Sequence, residues 1–288
     1  MNQPVDHEVD GLIRFKAQLS YHGGNFNGYA KQPGMRTVHA EFAKALTTVF
    51  GATDDDFGMR VAGRTDAGVH ALAQVLHFDI SPQRMKRIER GPDLLSRLNS
   101  LLPADIRVFK VDVAPPGFDA RFSALFRQYR YRVSDHDTQR NPLEADFTLW
   151  HTRPLDAFAM QGAALELVGL HDFATFCRPR DFGTTIRELR EVRVVRTESG
   201  VIEIWLTADA FCHNMVRAIV GALMAVGQGL ATAAEVATVL AARSREDMFK
   251  VVAPKGLTLM QIGYPADELL AQQAVITKVQ RSSANFDE

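Results

Sequence analysis

The segment Val61-Ala-Gly-Arg-Thr-Asp-Ala-Gly-Val-His70 sets a cation, a hydroxyl and a carboxylate between two glycines. Gly63 and Gly68 permit backbone angles and close approaches that a side chain would forbid, so the run reads as a turn leaving a short strand. Asp66 on that turn admits two readings of equal weight. Its carboxylate can cap the turn by accepting backbone N–H groups. Alternatively it can serve as a nucleophile, provided something keeps it ionised and oriented.

A second position with chemical meaning is Arg217. Between Asp209 and Glu235 it is the only Asp, Glu, Lys or Arg, and it stands among Met215, Val216, Ala218, Ile219 and Val220. A helix that is apolar nearly all round is normally buried. A buried guanidinium stays charged and is costly unless a carboxylate meets it, so the sequence predicts an acidic partner from elsewhere. The competing reading is an arginine that packs its stem and snorkels to the surface. The run Arg127-Gln-Tyr-Arg-Tyr-Arg132 is a third signal. In a strand it would put Tyr129, Tyr131 and Val133 on one face and Arg130 and Arg132 on the other. No acidic residue occurs from Ala120 to Ser134, whereas Arg121, Arg127, Arg130 and Arg132 do. Interleaved rings and guanidinia suit RNA, although tyrosines on a strand are also ordinary core. From Arg178 to Arg196 six arginines stand against Asp181, Glu188 and Glu191, as fits RNA contact or plain solvation.

The bulk properties narrow the classes. With 288 residues, 46% hydrophobic and 23% charged, the chain can bury a sizeable core as one large domain or two fused halves. A net charge of -1 means that any anion-binding surface must be local. Cys177 and Cys212 are too few for a disulfide framework, and scattered histidines without a CxxC pair predict no zinc site. Neither a Rossmann fingerprint nor a P-loop occurs. The start MNQPVDHEVD does not read as a signal peptide, and Phe211–Val226 is too short to span a bilayer. A cytoplasmic enzyme without membrane association is the expectation.

These residues need elements to hold them. A polar tail over 1–10 gives way to a strand through Ile13–Ser20 and a Gly/Asn-rich loop from His22 to Gly34. Thr37 opens a helix closed by Gly51. Short strands at Met59–Ala62 and Val75–Ile80 follow; the latter puts Leu76, Phe78 and Ile80 on one side and His77 and Asp79 on the other. A charged helix-like stretch spans Ser81–Leu102, then a strand puts Phe109, Val111 and Val113 on one face. Pro115-Pro116-Gly117 is the boundary candidate. Beyond it lie a strand at Gln128–Val133, a helix from Pro154 to Val168, and strands at Glu191–Arg196 and Val201–Ala208. An apolar helix over Asn214–Val226, a capping box at Thr232–Glu235 and a strand at Leu257–Gly263 complete the order. Residues from Asp267 form a terminal helix or a tail. The mixture lacks strict βαβ alternation, which predicts an α+β fold with a largely antiparallel sheet.

With these motifs in hand, the chain resembles the TruA family of tRNA pseudouridine synthases. Four blocks carry the likeness: AGRTDAGVHA (62–71), ARFSALFRQYRYRV (120–133), AFCHNMVRAIVGALMAVG (210–227) and APKGLTLMQIGYP (253–265). Weaker agreement runs through LNSLLPADIRV (98–108) and HDFATFCR (171–178). An early departure is Tyr21-His-Gly and Gly28-Tyr-Ala30, where the family has a tyrosine, aspartate and glycine followed by a GWQ-like run.

The resemblance implies a pseudouridine synthase fold: two related α/β halves, 11–114 and 118–266, sharing one continuous, mostly antiparallel sheet with a central cleft, with 267–288 as a tail. It implies isomerisation of uridine to pseudouridine in the tRNA anticodon stem-loop at tRNA positions 38, 39 and 40, with no cofactor and no metal, by a homodimer. Asp66 would be the catalytic carboxylate, expected to be buried, ionised and paired with Arg217. Tyr129 would lie against the target base, Leu257 would floor the pocket, and Arg64 would enter the space the flipped nucleotide leaves. Arg121, Arg127, Arg130, Arg132 and Arg178 would contact RNA. Two other classes compete: a non-catalytic tRNA-binding module, and a metal-dependent hydrolase built on Asp66, Asp79 and nearby histidines.

Overall fold

The computed structural model describes residues 8–9, 11–53, 57–178, 184–244 and 249–279. They form two compact units, one running to Leu125 and including Gln261–Val279, the other comprising Phe126–Met260. The chain thus changes unit past the Pro115-Pro116-Gly117 break, and a carboxy-terminal segment returns to the first unit. The acidic tail lies outside the described residues except for Glu8–Val9. The architecture is the mixed α+β class that the sequence predicts, with mostly antiparallel strand pairs.

The first unit contains β1 (Glu8–Val9), β2 (Leu12–Tyr21), α1 (Val38–Phe50), β3 (Arg60–Val61), β4 (His70–Ile80), α2 (Pro82–Met85), α3 (Leu94–Leu101) and β5 (Ile106–Val113). Helix α1 begins where Thr37 accepts from the Ala40 N–H and ends at Gly51, which takes the left-handed φ of +63°. Its Phe42 ring meets Phe78 of β4 edge-on at 5.9 Å, which seats the helix on the sheet. The charged stretch 81–102 is two helices rather than one, because Gly91-Pro92 interrupts it.

Strand β2 is central, pairing with both β4 and β5. The pairing with β5 shifts register between Gln18 and Leu19. Ile106 and Val108 are buried, while Phe109 is 48% and Val113 43% exposed. Val111 and Val113 stand opposite Ala17 and Phe15, on the same side as Val108 and Ile106 opposite Leu19 and Tyr21, so the bulge leaves Phe109 as the extra residue and takes it out of the expected face.

The polar side of β4 is buried too. Arg14 of β2 stands across from Asp79 and binds both carboxylate oxygens, at 2.7 and 2.8 Å, while a third N–H reaches the Phe118 carbonyl. His77 accepts from the Ala120 N–H through Nδ1 at 2.9 Å. Lys16, opposite His77, rests its ammonium 4.8 Å from the rings of Phe118 and Tyr264. The segment around Phe118 thus covers a face that alternation alone would give to water.

The second unit contains β6 (Phe126–Ser134), β7 (Leu149–Trp150), α4 (Ala157–Leu165), β8 (Gly169–Asp172), β9 (Ile186–Arg196), β10 (Ile202–Ala208), α5 (Met215–Gly227) and α6 (Ala233–Ala242). Strand β10 lies between β6 and β9, β8 flanks β9, and β7 pairs with β6 in parallel. Gln161 of α4 ties the helix to β9, donating to the Val192 carbonyl and accepting from the Val194 N–H. A Cβ on Gly227 would lie 2.7 Å from the Met160 sulfur, so α5 and α4 approach closely there. Thr232 and Glu235 form the expected capping box. Asp135 is fully buried and accepts from Arg196, Thr138 and the Leu155 N–H. Burial alone would raise its pKa, but those donors outweigh it and hold the group down to about 2. The chain then returns through β11 (Leu257–Gly263) to α7 (Leu270–Lys278) in the first unit.

His77 supplies a pH prediction. Burial, and then the Arg14 charge, push its pKa from 6.5 down to about 4. The unfolded chain therefore binds the proton more readily, and stability falls as pH drops from about 6.5 towards 4, by about 3 kcal/mol from this group. Asp135 acts in a lower window, its contribution fading only as pH falls from 3.8 towards 2. Urea midpoints across pH should show the upper step in the wild type and not in His77→Asn, which keeps an acceptor without a titrating ring. A step of equal size in both proteins would contradict this assignment.

Candidate active site

The Gly63–Gly68 turn emerges from β3 and feeds β4. Its own backbone cannot satisfy all its polar groups, and buried neighbours do so. Tyr21 Oη and Thr65 Oγ1 share a hydrogen bond of 2.7 Å. Gln74, with no exposed surface, donates from Nε2 to Tyr21 Oη at 3.1 Å and to the Gly63 carbonyl at 2.8 Å. Burial pushes the Tyr21 phenol up to about 12, with the Thr65 and Gln74 bonds opposing the shift, so it stays protonated and can donate to Thr65.

The glycine-rich loop after β2 forms the bed of the turn. The Tyr29 N–H donates to the Thr65 carbonyl at 3.0 Å, and the Gly68 N–H to the Phe26 carbonyl at 3.2 Å. Gly28 has a φ of +87°, and a Cβ there would stand 2.9 Å from the Thr65 oxygen. Gly23 presses closer still: its Cβ would fall 2.0 Å from the Val69 carbonyl oxygen, and its N–H donates to His70 Nδ1. These contacts use the two places where the sequence departs from the family pattern, Tyr21-His-Gly and Gly28-Tyr-Ala30. Sequence reading missed Tyr21, Gln74 and Tyr29 as supports. The available signal was the spacing of Gly23, Gly24 and Gly28 through the loop after β2.

Within this frame Thr65 is buried, Arg64 exposed and Asp66 half-buried. Asp66 is thus more open than the sequence predicts. Its carbonyl accepts from the Val69 N–H at 3.2 Å, closing the turn through the main chain. Asp79, the other carboxylate of the hydrolase reading, has both oxygens committed to Arg14. Among the described residues no three of His, Cys, Asp and Glu gather as metal ligands would.

In the second unit Arg217 lies in the first turn of α5, half-buried, where its Nε donates to the Val252 carbonyl at 2.8 Å and its own carbonyl accepts from the Val252 N–H. Gly221, one turn on, admits the Lys250 carbonyl, which a Cβ would overlap at 2.0 Å. Arg217 and Gly221 therefore dock the 250–252 strand entry against α5, just before Leu257. Tyr129 and Leu257 are both buried, and Tyr129 meets Phe211 edge-on at 5.2 Å. Tyr131 Oη donates to the Ala253 carbonyl at 2.7 Å, and Gly256 fits only because it lacks a side chain, since a Cβ there would stand 2.8 Å from Arg132 O and Tyr131 Cζ. Burial raises the Tyr131 phenol well above its ordinary value, while the Arg217 charge opposes the shift.

The arginines divide by environment. Arg127 is 6% exposed and donates to the Asp209 carbonyl. Arg130 pairs with Glu203 and lies over Trp205; Arg132 pairs with Glu144 and Glu203. The acids missing from the local sequence are thus supplied by other segments. Arg121 and Arg178 are exposed, the latter following Cys177, which is joined to Cys212.

Comparison with known proteins agrees with the motif blocks. Residues 163–265 match the tRNA pseudouridine synthase family model. The tRNA pseudouridine synthase A of Streptomyces avermitilis is 48% identical over 267 residues, covering 92% of this chain and 93% of that protein. That of Streptomyces griseus is 48% identical, covering 93% of this chain and 94% of that protein, and that of Mycobacterium leprae 44%, covering 98% and 100%. The chain belongs to the tRNA pseudouridine synthase A family of isomerases.

Removing the Tyr21 hydroxyl tests the support of the turn. Tyr21→Phe leaves a buried glutamine amide and a buried threonine hydroxyl short of a partner, and should cost about 1–3 kcal/mol in urea denaturation. An unchanged midpoint would show that the network does not hold the turn.

Proposed function

We propose that this protein converts uridine to pseudouridine in the anticodon stem-loop of tRNA, at tRNA positions 38, 39 and 40, with Asp66 as the catalytic carboxylate. The observation that carries the reading is the Asp66 turn. Thr65 on one side is locked by Tyr21, and Gly68 on the other by the Phe26 carbonyl, while the intervening carboxylate is half open. A cap needs no such external bracing, whereas a reacting group gains from pre-organisation. The family relationship supports tRNA as the substrate.

The chemistry is an isomerisation. The N1–C1′ bond breaks and a C5–C1′ bond forms; C5 gives up a proton and N1 gains one, so no electrons are exchanged. Asp66 can enter by attack on C1′, addition to C6 or removal of the C2′ proton. Arg217 is proposed to pair with Asp66 and favour its charged form. Tyr129 would lie against the uracil, Leu257 beneath it, and Arg64 would fill the space left by extrusion of the nucleotide, which costs about a few kcal/mol. Arg121 and Arg178, both exposed, would contact phosphate. Arg127, Arg130 and Arg132 are committed to the protein's own acceptors and would act by shaping β6. A dimeric assembly and a cytoplasmic setting belong to the same proposal.

Asp66→Asn should retain tRNA binding while pseudouridine formation falls by at least about three orders of magnitude, about 4 kcal/mol in barrier. Mapping pseudouridine in unmodified tRNA checks both the chemistry and the position; conversion by the variant near wild-type rate would exclude the nucleophile. Arg217→Ala should lower turnover and also lose about 1–3 kcal/mol of stability through the bond to Val252. A variant both fully active and equally stable would remove Arg217 from the proposal.

A further inference from the structure

The chain has two cysteines, and the fold brings them together. Cys177 and Cys212 are 35 residues apart in sequence, yet their Cα atoms lie 5.7 Å apart and the sulfurs are joined. That separation is within the roughly 4.4–6.8 Å that a disulfide spans, so the bond can open and close with little backbone movement. Both residues belong to the second unit.

The two ends of the bond differ. Cys177 is buried and follows Phe173 and Phe176, which have almost no exposed surface. Thr175 donates to the Val239 carbonyl of α6 at 2.9 Å, so this side is a fixed anchor. Cys212 is half-buried and lies in the short connection from β10 to α5. One residue before it, Phe211 meets the Tyr129 ring edge-on at 5.2 Å. Two residues after it, Asn214 turns the chain through a φ of +68° and opens α5, where Arg217 follows. The bond thus pins the connection that leads from the Tyr129 ring to Arg217.

Hydrogen bonds already hold this connection at both ends. The Asp209 N–H donates to the Glu188 carbonyl of β9 at 3.1 Å, and the Glu188 N–H returns a bond to Asp209 Oδ1 at 3.0 Å. The Arg178 N–H donates to the His213 carbonyl at 2.9 Å, and the Met215 N–H to the Cys212 carbonyl at 3.1 Å. The fold therefore stands with two thiols, and what the sulfur bond adds is rigidity around Phe211. Tyr129 is only 7% exposed, so a base can lie against it only after part of its cover moves. Phe211 is part of that cover.

We infer that Cys177 and Cys212 are a reversible thiol–disulfide switch: joined, they hold Phe211 on Tyr129 and slow the enzyme; separated, they release it for the uridine. The co-reactant is a low-molecular-weight thiol, which the cytoplasmic setting proposed above would supply. Its thiolate attacks the more open sulfur, that of Cys212, and Cys177 leaves and takes up a proton. A second thiol then displaces Cys212 from the mixed disulfide. Two thiols are oxidised to one disulfide, and the protein gains two electrons and two protons. The inference rests on the Tyr129 reading and adds regulation to it.

The test compares the full chain reduced with excess dithiothreitol and oxidised with glutathione disulfide, each state verified by alkylation and intact mass. Initial pseudouridine formation in unmodified tRNA should fall by about fivefold or more on oxidation and recover on reduction, as for ordinary coupling between a switch and a site. Cys212→Ser and Cys177→Ala should keep the reduced rate under both treatments. Amide exchange across 209–216 should slow on oxidation in the wild type alone. Equal and measurable turnover in both wild-type forms would overturn the switch, as would a bond that dithiothreitol cannot open in the folded protein. A loss of rate on oxidation that persists in both variants would place the effect elsewhere and overturn it too. Exchange that differs between two forms, neither of which makes pseudouridine, would overturn the proposed activity and leave the hold of the thiol pair on Phe211 standing.

Discussion

A turn bracketed by glycines has backbone donors and acceptors that it cannot pair by itself, and here the surrounding strands must supply the partners. Tyr21 and Gln74 meet it from β2 and β4, and the loop after β2 meets it with Gly28 and the Tyr29 N–H. Everything that positions Asp66 follows from this requirement. The tyrosine must be buried to hold Thr65, the loop must be glycine-rich to come close enough, and α1 must start just beyond it. The price is a set of buried polar groups, each of which is costly if its partner is lost.

Charge follows a similar rule across the molecule. Arginines near the core are held by carboxylates or carbonyls: Arg14 by Asp79, Arg196 by Asp135, Arg127 by the Asp209 carbonyl. Such bonds compensate desolvation and fix geometry more than they add stability.

Much of the framework was legible in the sequence because its signals were local. Thr37 and Gly51 bound α1, Thr232 and Glu235 open α6, and Leu257–Gly263 is a strand as its pattern predicts. What failed was non-local. The bulge opposite Gln18 took Phe109 out of phase with Val111 and Val113, and the covering segment around Phe118 made the polar side of β4 an interior. Among site residues, Asp66 stood out by its glycine bracket and Arg217 by its isolation. Tyr21, Gln74 and Tyr29 did not, since their role depends on which turn the tertiary fold lays against them. The run 127–132 looked uniformly cationic because Glu144, Glu203 and the Asp209 carbonyl are distant in sequence.

The passage of β11 and α7 back to the first unit has a consequence for biosynthesis. Leu270 belongs to the same buried cluster as Ala62 and Val75, which flank the Asp66 turn in sequence. During translation the amino-terminal unit emerges first but lacks this piece until the second unit has been made. A chain that stops short of Leu270 therefore presents an unfinished core beside the Asp66 turn, so the amino-terminal unit cannot close its core until the segment that follows the second unit has been made.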